Sequence, residues 1–136
     1  MNLKSASVIL IVMGISAATF AADVDTSKLP PASTRTGVTF ATDIKPIFDA
    51  SCVKCHGEQK PKAKLRLDSL EAVMKGGEDG KVVESGNSAK SMIVLNVAHL
   101  GEEDDFMPPP KNKLGLKKLT DDQIGLIRAW IDQGAK

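Results

Sequence analysis

Residues 52–56 read Cys-Val-Lys-Cys-His and contain both cysteines of the 136-residue chain. A disulfide between these cysteines would close a loop too short to stabilise a domain of this length. The remaining sequence offers few large anchors for a core, because only 4% of it is aromatic, with four Phe, one Trp and no Tyr. With 42% hydrophobic and 26% charged residues it is nevertheless in the globular range. The composition predicts one domain, and it predicts that a group other than aromatic side chains fills part of the core.

The spacing within residues 52–56 has a direct chemical meaning. Two thiols three residues apart lie on one helical turn, where both can add to the vinyl groups along one edge of a porphyrin. The next residue, His56, can then present its imidazole to the iron. This is the c-type haem attachment motif, and it predicts one covalent haem c, with thioether bonds from Cys52 and Cys55 and with His56 as proximal ligand. We expect the other ring nitrogen of His56 to donate to a backbone carbonyl.

Two other uses of a Cys-x-x-Cys pair fit the sequence less well. A thioredoxin-like redox pair belongs to an α/β fold, and this sequence lacks the alternating pattern of β-strands. A zinc site needs four ligands, and no second Cys-x-x-Cys or His-x-x-His pair completes one. The motif therefore favours haem.

A haem iron takes a second axial ligand or keeps an open face. The sequence offers Met74, Met92, Met107 and His99. Met74 and Met92 fall on apolar helix faces, where core packing is the simpler role. Met107 precedes three prolines, which prevent a helix and present its thioether from a rigid loop, and we predict it as the distal iron ligand. His99 is the alternative, although a position at a helix end or beside a haem propionate would also account for it.

Apolar spacing predicts helices along most of the chain. They are a helix over residues 40–51, a helix with Asp68 as N-cap that stops at Gly76, a helix with Asn87 as N-cap that carries Met92, Ile93, Leu95 and Val97, and a last helix that ends at Gly134. The last helix is the clearest, because Thr120 and Gln123 have the spacing of a capping box. No stretch alternates like a strand, so the predicted class is all-α.

The N-terminal residues predict an export signal. Residues 1–21 contain a single charge, Lys4, before an apolar block and a small-residue site at Ala21, as in a cleaved signal peptide. An uncleaved membrane anchor is the alternative, although the many Ser, Ala, Thr and Gly residues make a poor span. Export would place the protein in the periplasm, where free thiols do not persist.

The predicted mature chain divides into a leader and one domain. Residues 22–38 contain two prolines and a glycine without periodicity and predict a flexible leader, so the folded domain is expected over residues 39–136. Of the 18 basic and 17 acidic residues, cleavage after Ala21 leaves 17 of each. This balance gives no support to nucleic-acid binding.

Several stretches together resemble the class I cytochromes c, and in detail the planctomycete-type cytochrome c domain. They are FATDIKPIFDASCVKCHG (40–57), KAKLRLDSLEAVMKGG (62–77), AHLGEEDDFMPP (98–109) and LTDDQIGLIRAWIDQGA (119–135). The resemblance implies a single-domain cytochrome c fold of four to five short helices around one haem, attached through Cys52 and Cys55. It also implies ligation by His56 and Met107, and an aromatic residue, Trp130, that packs near the haem.

These features predict an electron carrier rather than an enzyme. A periplasmic c-type cytochrome would pass single electrons between redox partner proteins, with no stable membrane insertion after signal cleavage. Four lysines near the motif, Lys54, Lys60, Lys62 and Lys64, could steer an acidic partner. The alternatives are a gas sensor or peroxidase-like enzyme with a labile sixth ligand, and a haem subunit of a larger respiratory complex.

Overall fold

A computed structural model describes residues 24–136, so the predicted signal peptide lies outside the described residues. The described part contains five α-helices: α1 (Lys45–Ser51), α2 (Val53–His56), α3 (Leu70–Lys75), α4 (Met92–Ala98) and α5 (Asp121–Asp132). Four short 3₁₀ turns and one π-helical turn, Phe40–Ile44, complete its regular structure. Residues 24–136 form no β-strand, and a single isolated bridge joins Gly77 to Gly80. The predicted all-α class is confirmed.

The helix beginnings differ in part from those predicted. Ser69, not Asp68, is the N-cap of α3, and its side chain accepts the Ala72 N–H. The carboxylate of Asp68 instead pairs with Arg66, at 2.7 Å from Nη2. Asn87 caps the 3₁₀ turn Ser88–Lys90, so α4 begins only at Met92. Capping preference alone does not rank two adjacent residues that can both cap a helix, because another side chain, here that of Arg66, can bind one of them.

The ends of α5 are fixed by its own sequence. The capping box predicted at Thr120 is present: its Oγ1 accepts the Gln123 N–H at 3.2 Å, and Gln123 Oε1 accepts the Thr120 N–H at 2.9 Å. The helix ends at Asp132, two residues before the predicted stop at Gly134. Its apolar face includes the fully buried Trp130.

Three aromatic side chains are in contact at the interface between α5 and the segment that comprises the π-helical turn and α1. The Phe40 ring lies 5.7 Å from the Trp130 ring and 6.0 Å from the Phe48 ring, the latter in an edge-to-face arrangement. The isoleucines Ile44, Ile124, Ile127 and Ile131 are fully buried. Helix α4 packs on the same α5 through Val94 and Val97. Helix α5 is therefore the central support of the fold.

Residues 24–38 are packed, in contrast to the flexible leader predicted for residues 22–38. Leu29 and Val38 are buried, and the segment runs in an extended course against α5. We call residues 24–38 the strap. The folded unit therefore begins before residue 39. The sequence does not indicate these contacts, because the strap lacks a periodic pattern of its own and is held by residues about a hundred positions later in the chain.

The strap is held to α5 through backbone groups. The Ser33 N–H donates to the Gly125 carbonyl at 2.9 Å, and the Arg128 guanidinium donates to the Pro30 carbonyl. Gly125 permits this close approach, since a Cβ built on it would lie 2.7 Å from the Pro31 carbonyl oxygen. These contacts satisfy the polar backbone of a proline-containing segment that cannot form a helix.

We expect Gly125→Ala to destabilise the haem-loaded protein by about 1–3 kcal/mol, because the new methyl group collides with backbone of the strap. In an uncrowded helix the same change stabilises by up to about 1 kcal/mol. The test is whether the free energy of unfolding, measured by denaturant titration, is lower or higher in the variant than in the wild type. Asp122→Ala, at an exposed position of α5, is the control and should change stability by less than about 0.5 kcal/mol. A stabilised Gly125→Ala protein would show that the strap does not pack on α5.

Candidate haem-binding site

A cavity of about 180 Å³ opens beside the Cys-x-x-Cys-His motif. One wall is formed by Cys52, Cys55 and His56, and another by the proline-containing loop that starts at Met107. Apolar side chains dominate the remaining lining: Leu65, Leu67, Val82, Ile93, Val97 and Leu116. The motif and Met107, which are about fifty residues apart in sequence, thus line the same space.

The orientation of His56 is fixed by the segment after the motif. His56 is 8% exposed, and its Nδ1 lies 3.1 Å from the Leu65 carbonyl oxygen. Because a carbonyl only accepts, Nδ1 carries the proton and Nε2 keeps its lone pair. Burial lowers the pKa of the imidazole below its usual value, although hydrogen bonds to backbone oxygens act in the opposite direction. The predicted hydrogen bond to a backbone carbonyl is present, and it leaves a neutral imidazole suited to an iron.

The same segment also pairs with the backbone of the motif. The Leu67 N–H donates to the His56 carbonyl at 2.8 Å. Gly77 lets the neighbouring turn pack against it, since a Cβ there would lie 2.6 Å from the Ala63 carbonyl oxygen. Sequence reasoning did not assign these roles to Leu65 and Gly77. The only sequence signal was the Gly76-Gly77 pair, which we interpreted as a helix stop.

Both cysteines are thiols on the cavity wall, half-buried and not joined in a disulfide. Burial, with a smaller contribution from the nearby Cys55, raises the pKa of the Cys52 thiol to about 12. Reactive thiols of the thioredoxin type have the opposite shift, because the thiolate is the nucleophile. The raised pKa of Cys52 is therefore unlike that of a reactive redox thiol. Within residues 24–136, no group of three or more His, Cys, Asp or Glu side chains is placed to hold a metal ion.

Met107 reaches the cavity from a loop anchored on α4. Its N–H donates to the Asn96 carbonyl at 3.0 Å, and its side chain is partly buried against the core. Further along the loop, one side chain organises the backbone: Asn112 Nδ2 donates to the carbonyls of Pro109 and Leu116 at 2.9 and 2.8 Å, and its Oδ1 accepts the N–H of Leu116 at 2.9 Å. The loop thereby brings Leu116 and Pro109 to the lining.

The other candidates for an axial ligand are placed differently. His99 is not among the residues that line the cavity, and its Nε2 donates to the Pro108 carbonyl at 3.1 Å. Met74 is half-buried and packs on the core, in agreement with the role expected for it. Met92 is 52% exposed at the rim of the cavity, so the expectation that it fills the core is wrong. Trp130 packs on Phe40 and does not line the cavity.

The charges around the cavity have both signs. The charged carboxylates among its lining residues are those of Glu78, Asp79 and Asp105, and none of the lining residues is a lysine or an arginine. The exposed Lys64 forms an ion pair of 3.7 Å with Glu78. The lysines in and after the motif therefore lie near carboxylates of the cavity rim, which reduce the attraction of an acidic partner.

The residues present fit a haem by the chemistry of their donors. Two thiols lie beside a neutral imidazole whose Nε2 keeps its lone pair, and a thioether and apolar side chains line the same cavity. An all-α fold with such a set of side chains is typical of a c-type cytochrome. In agreement, residues 52–111 match the family model described as Planctomycete cytochrome C. This match covers less than half of the sequence, and it supports a planctomycete-type cytochrome c domain over residues 52–111, in agreement with the resemblance. No curated protein and no solved structure matches the chain significantly.

Proposed function

We propose that this protein is a periplasmic electron carrier with one haem c, attached through Cys52 and Cys55 and ligated by His56 and Met107. The observation that carries the proposal is one apolar cavity lined by both thiols, by the thioether of Met107 and by an imidazole whose tautomer is fixed by the Leu65 carbonyl. Members of cytochrome c families generally act as electron carriers rather than enzymes.

The haem would supply a one-electron Fe(III)/Fe(II) couple, and the protein would supply a constant environment for it. His56 is held by its hydrogen bond to Leu65, and Met107 by the bond of its N–H to Asn96. Two restrained ligands favour the same coordination in both oxidation states. The side chains of Leu65, Ile93 and Val97 limit the access of water. These properties suit electron transfer more than chemistry at the iron, which needs an open position.

The proposed periplasmic location rests on the signal peptide predicted for residues 1–21. Among the described residues, no helix is both long and apolar enough to cross a bilayer. We further propose that donor and acceptor proteins dock where the motif reaches the surface. This surface carries exposed lysines, Lys54, Lys60 and Lys62, beside the carboxylates of the cavity rim. A complementary partner surface would therefore contain charges of both signs.

Spectroscopy of the purified periplasmic protein tests this proposal. Acid acetone should leave the pigment on the polypeptide, and the oxidised form should show the weak long-wavelength band of an Fe(III)–thioether bond. Redox titration should follow a single one-electron transition, and the reduced form should bind carbon monoxide slowly and weakly. Extraction of the pigment would refute covalent attachment. Fast, tight binding of carbon monoxide would instead indicate the sensor or enzyme, and isolation in a stable membrane complex would indicate a respiratory subunit.

A further inference from the structure

The loop of residues 106–116, which we call the distal loop, begins with three residues that contact the C-terminal end of α4. The Phe106 ring stacks on the His99 ring, with centroids 4.7 Å apart and an interplanar angle of 8°. The Met107 N–H donates to the Asn96 carbonyl at 3.0 Å, and the Pro108 carbonyl accepts from His99 Nε2 at 3.1 Å. Thus His99 contacts both neighbours of Met107 but not the cavity that Met107 lines.

The backbone at His99 places the ring where it can make both contacts. His99 is the C-cap of α4 in the left-handed conformation, with φ 57° and ψ 49°. Residues other than glycine adopt this region rarely, with Asn, Asp and His the commonest among them, and it ends the helix abruptly. Because the Pro108 carbonyl only accepts, the proton of a neutral His99 is on Nε2. That nitrogen is therefore engaged in the protein itself.

We infer that His99 is a positioning residue for the distal ligand: it fixes residues 106 and 108 and so holds the thioether of Met107 toward the cavity. The inference rests on the proposed ligation by Met107. It assigns to His99 neither a bond to iron nor a contact with a propionate. Its ring acts through the carbonyl of Pro108 and the face of Phe106.

The variant His99→Asn tests this role with little disturbance of the backbone, because asparagine tolerates the left-handed conformation. It removes both the stacked ring and the Nε2 donor. In the haem-loaded protein we expect the reduced form to bind carbon monoxide about tenfold faster or more, as loss of a hydrogen bond and an aromatic stack weakens closure of the loop. The long-wavelength thioether band should also disappear at a lower denaturant concentration than the far-ultraviolet helix signal. In the wild type the difference between the two denaturant concentrations should be smaller.

Two controls separate positioning from general destabilisation. Phe106→Leu keeps the hydrogen bond of His99 and removes only the stacking, so its carbon monoxide rate should lie between those of the wild type and His99→Asn. Leu114→Ala changes a 49% exposed side chain in the same loop and should leave both measurements unchanged. If His99→Asn matches the wild type in rate and in band stability, the inference is wrong while the ligation by Met107 stands. If the wild type lacks the thioether band, ligation by Met107 is refuted, and the role of His99 with it.

Discussion

Cys52→Ala/Cys55→Ala protein should carry no covalent haem and should be largely unfolded. Three buried aromatic residues, Phe40, Phe48 and Trp130, form the aromatic part of the described core, and the cavity leaves its lining residues Leu65 and Leu116 only partly buried. A bound macrocycle would cover these side chains, so folding and haem binding are coupled. We expect a loss of about 5 kcal/mol or more, comparable with the whole stability of a small domain. Far-ultraviolet circular dichroism and acid-acetone extraction measure the two effects.

Graded variants make this result specific. Cys52→Ala alone leaves one thiol, and its pigment should stay attached through a single thioether bond, with intermediate thermal stability. Ser51→Ala, at a neighbouring cavity position, should keep the full spectrum and fold. Native-like helix content in the doubly substituted protein without haem would show that the polypeptide core is sufficient by itself.

The second large effect is expected for Met107→Ala. This change should abolish the long-wavelength thioether band and raise the affinity of the reduced protein for carbon monoxide by about a hundredfold or more, because an axial position opens. The reduction potential should fall, since a thioether ligand favours the reduced iron. The pigment should remain covalently attached, and unfolding free energy should fall by only about 1–3 kcal/mol, because the side chain is partly buried.

Met92→Ala is the matched control, since it removes the same kind of side chain from the rim of the same cavity. Met92 is 52% exposed, and its loss should leave the band and the carbon monoxide affinity as in the wild type. If the band survives in Met107→Ala and is lost in Met92→Ala, the distal ligand is Met92 and the proposed assignment is wrong.

Features encoded within a few residues of sequence could be predicted, and features that need distant partners could not. The motif at residues 52–56 and the capping box at Thr120 are local patterns, and the structure places the motif residues on one cavity wall and confirms the box. The packing of the strap depends on Gly125 and Arg128, about a hundred residues further along the chain. Its proline content indicates an extended backbone but not what that backbone contacts.

The site shows the same division. The motif predicts that a ring nitrogen of His56 donates a hydrogen bond to a backbone carbonyl. It does not predict that this carbonyl belongs to Leu65, because that depends on how the loop after the motif folds back. His99 could be recognised as a residue at a helix end, yet its bond to Pro108 joins two segments whose approach no local pattern specifies. Met92 was misassigned because helical periodicity identifies an apolar face without showing which part of it another segment covers.

The dependence of the distal loop on Asn112 has a consequence for dynamics. A single amide side chain accepts or donates the hydrogen bonds that close residues 109–116, whereas His56 lies on α2, which directly follows α1 with its buried Ile47 and Phe48. Segments with few backbone hydrogen bonds open locally at a smaller free-energy cost than the whole domain. The two sides of the cavity therefore belong to cooperative units of unequal stability. The native ensemble should contain a minor state in which the loop is detached and the helical framework remains folded.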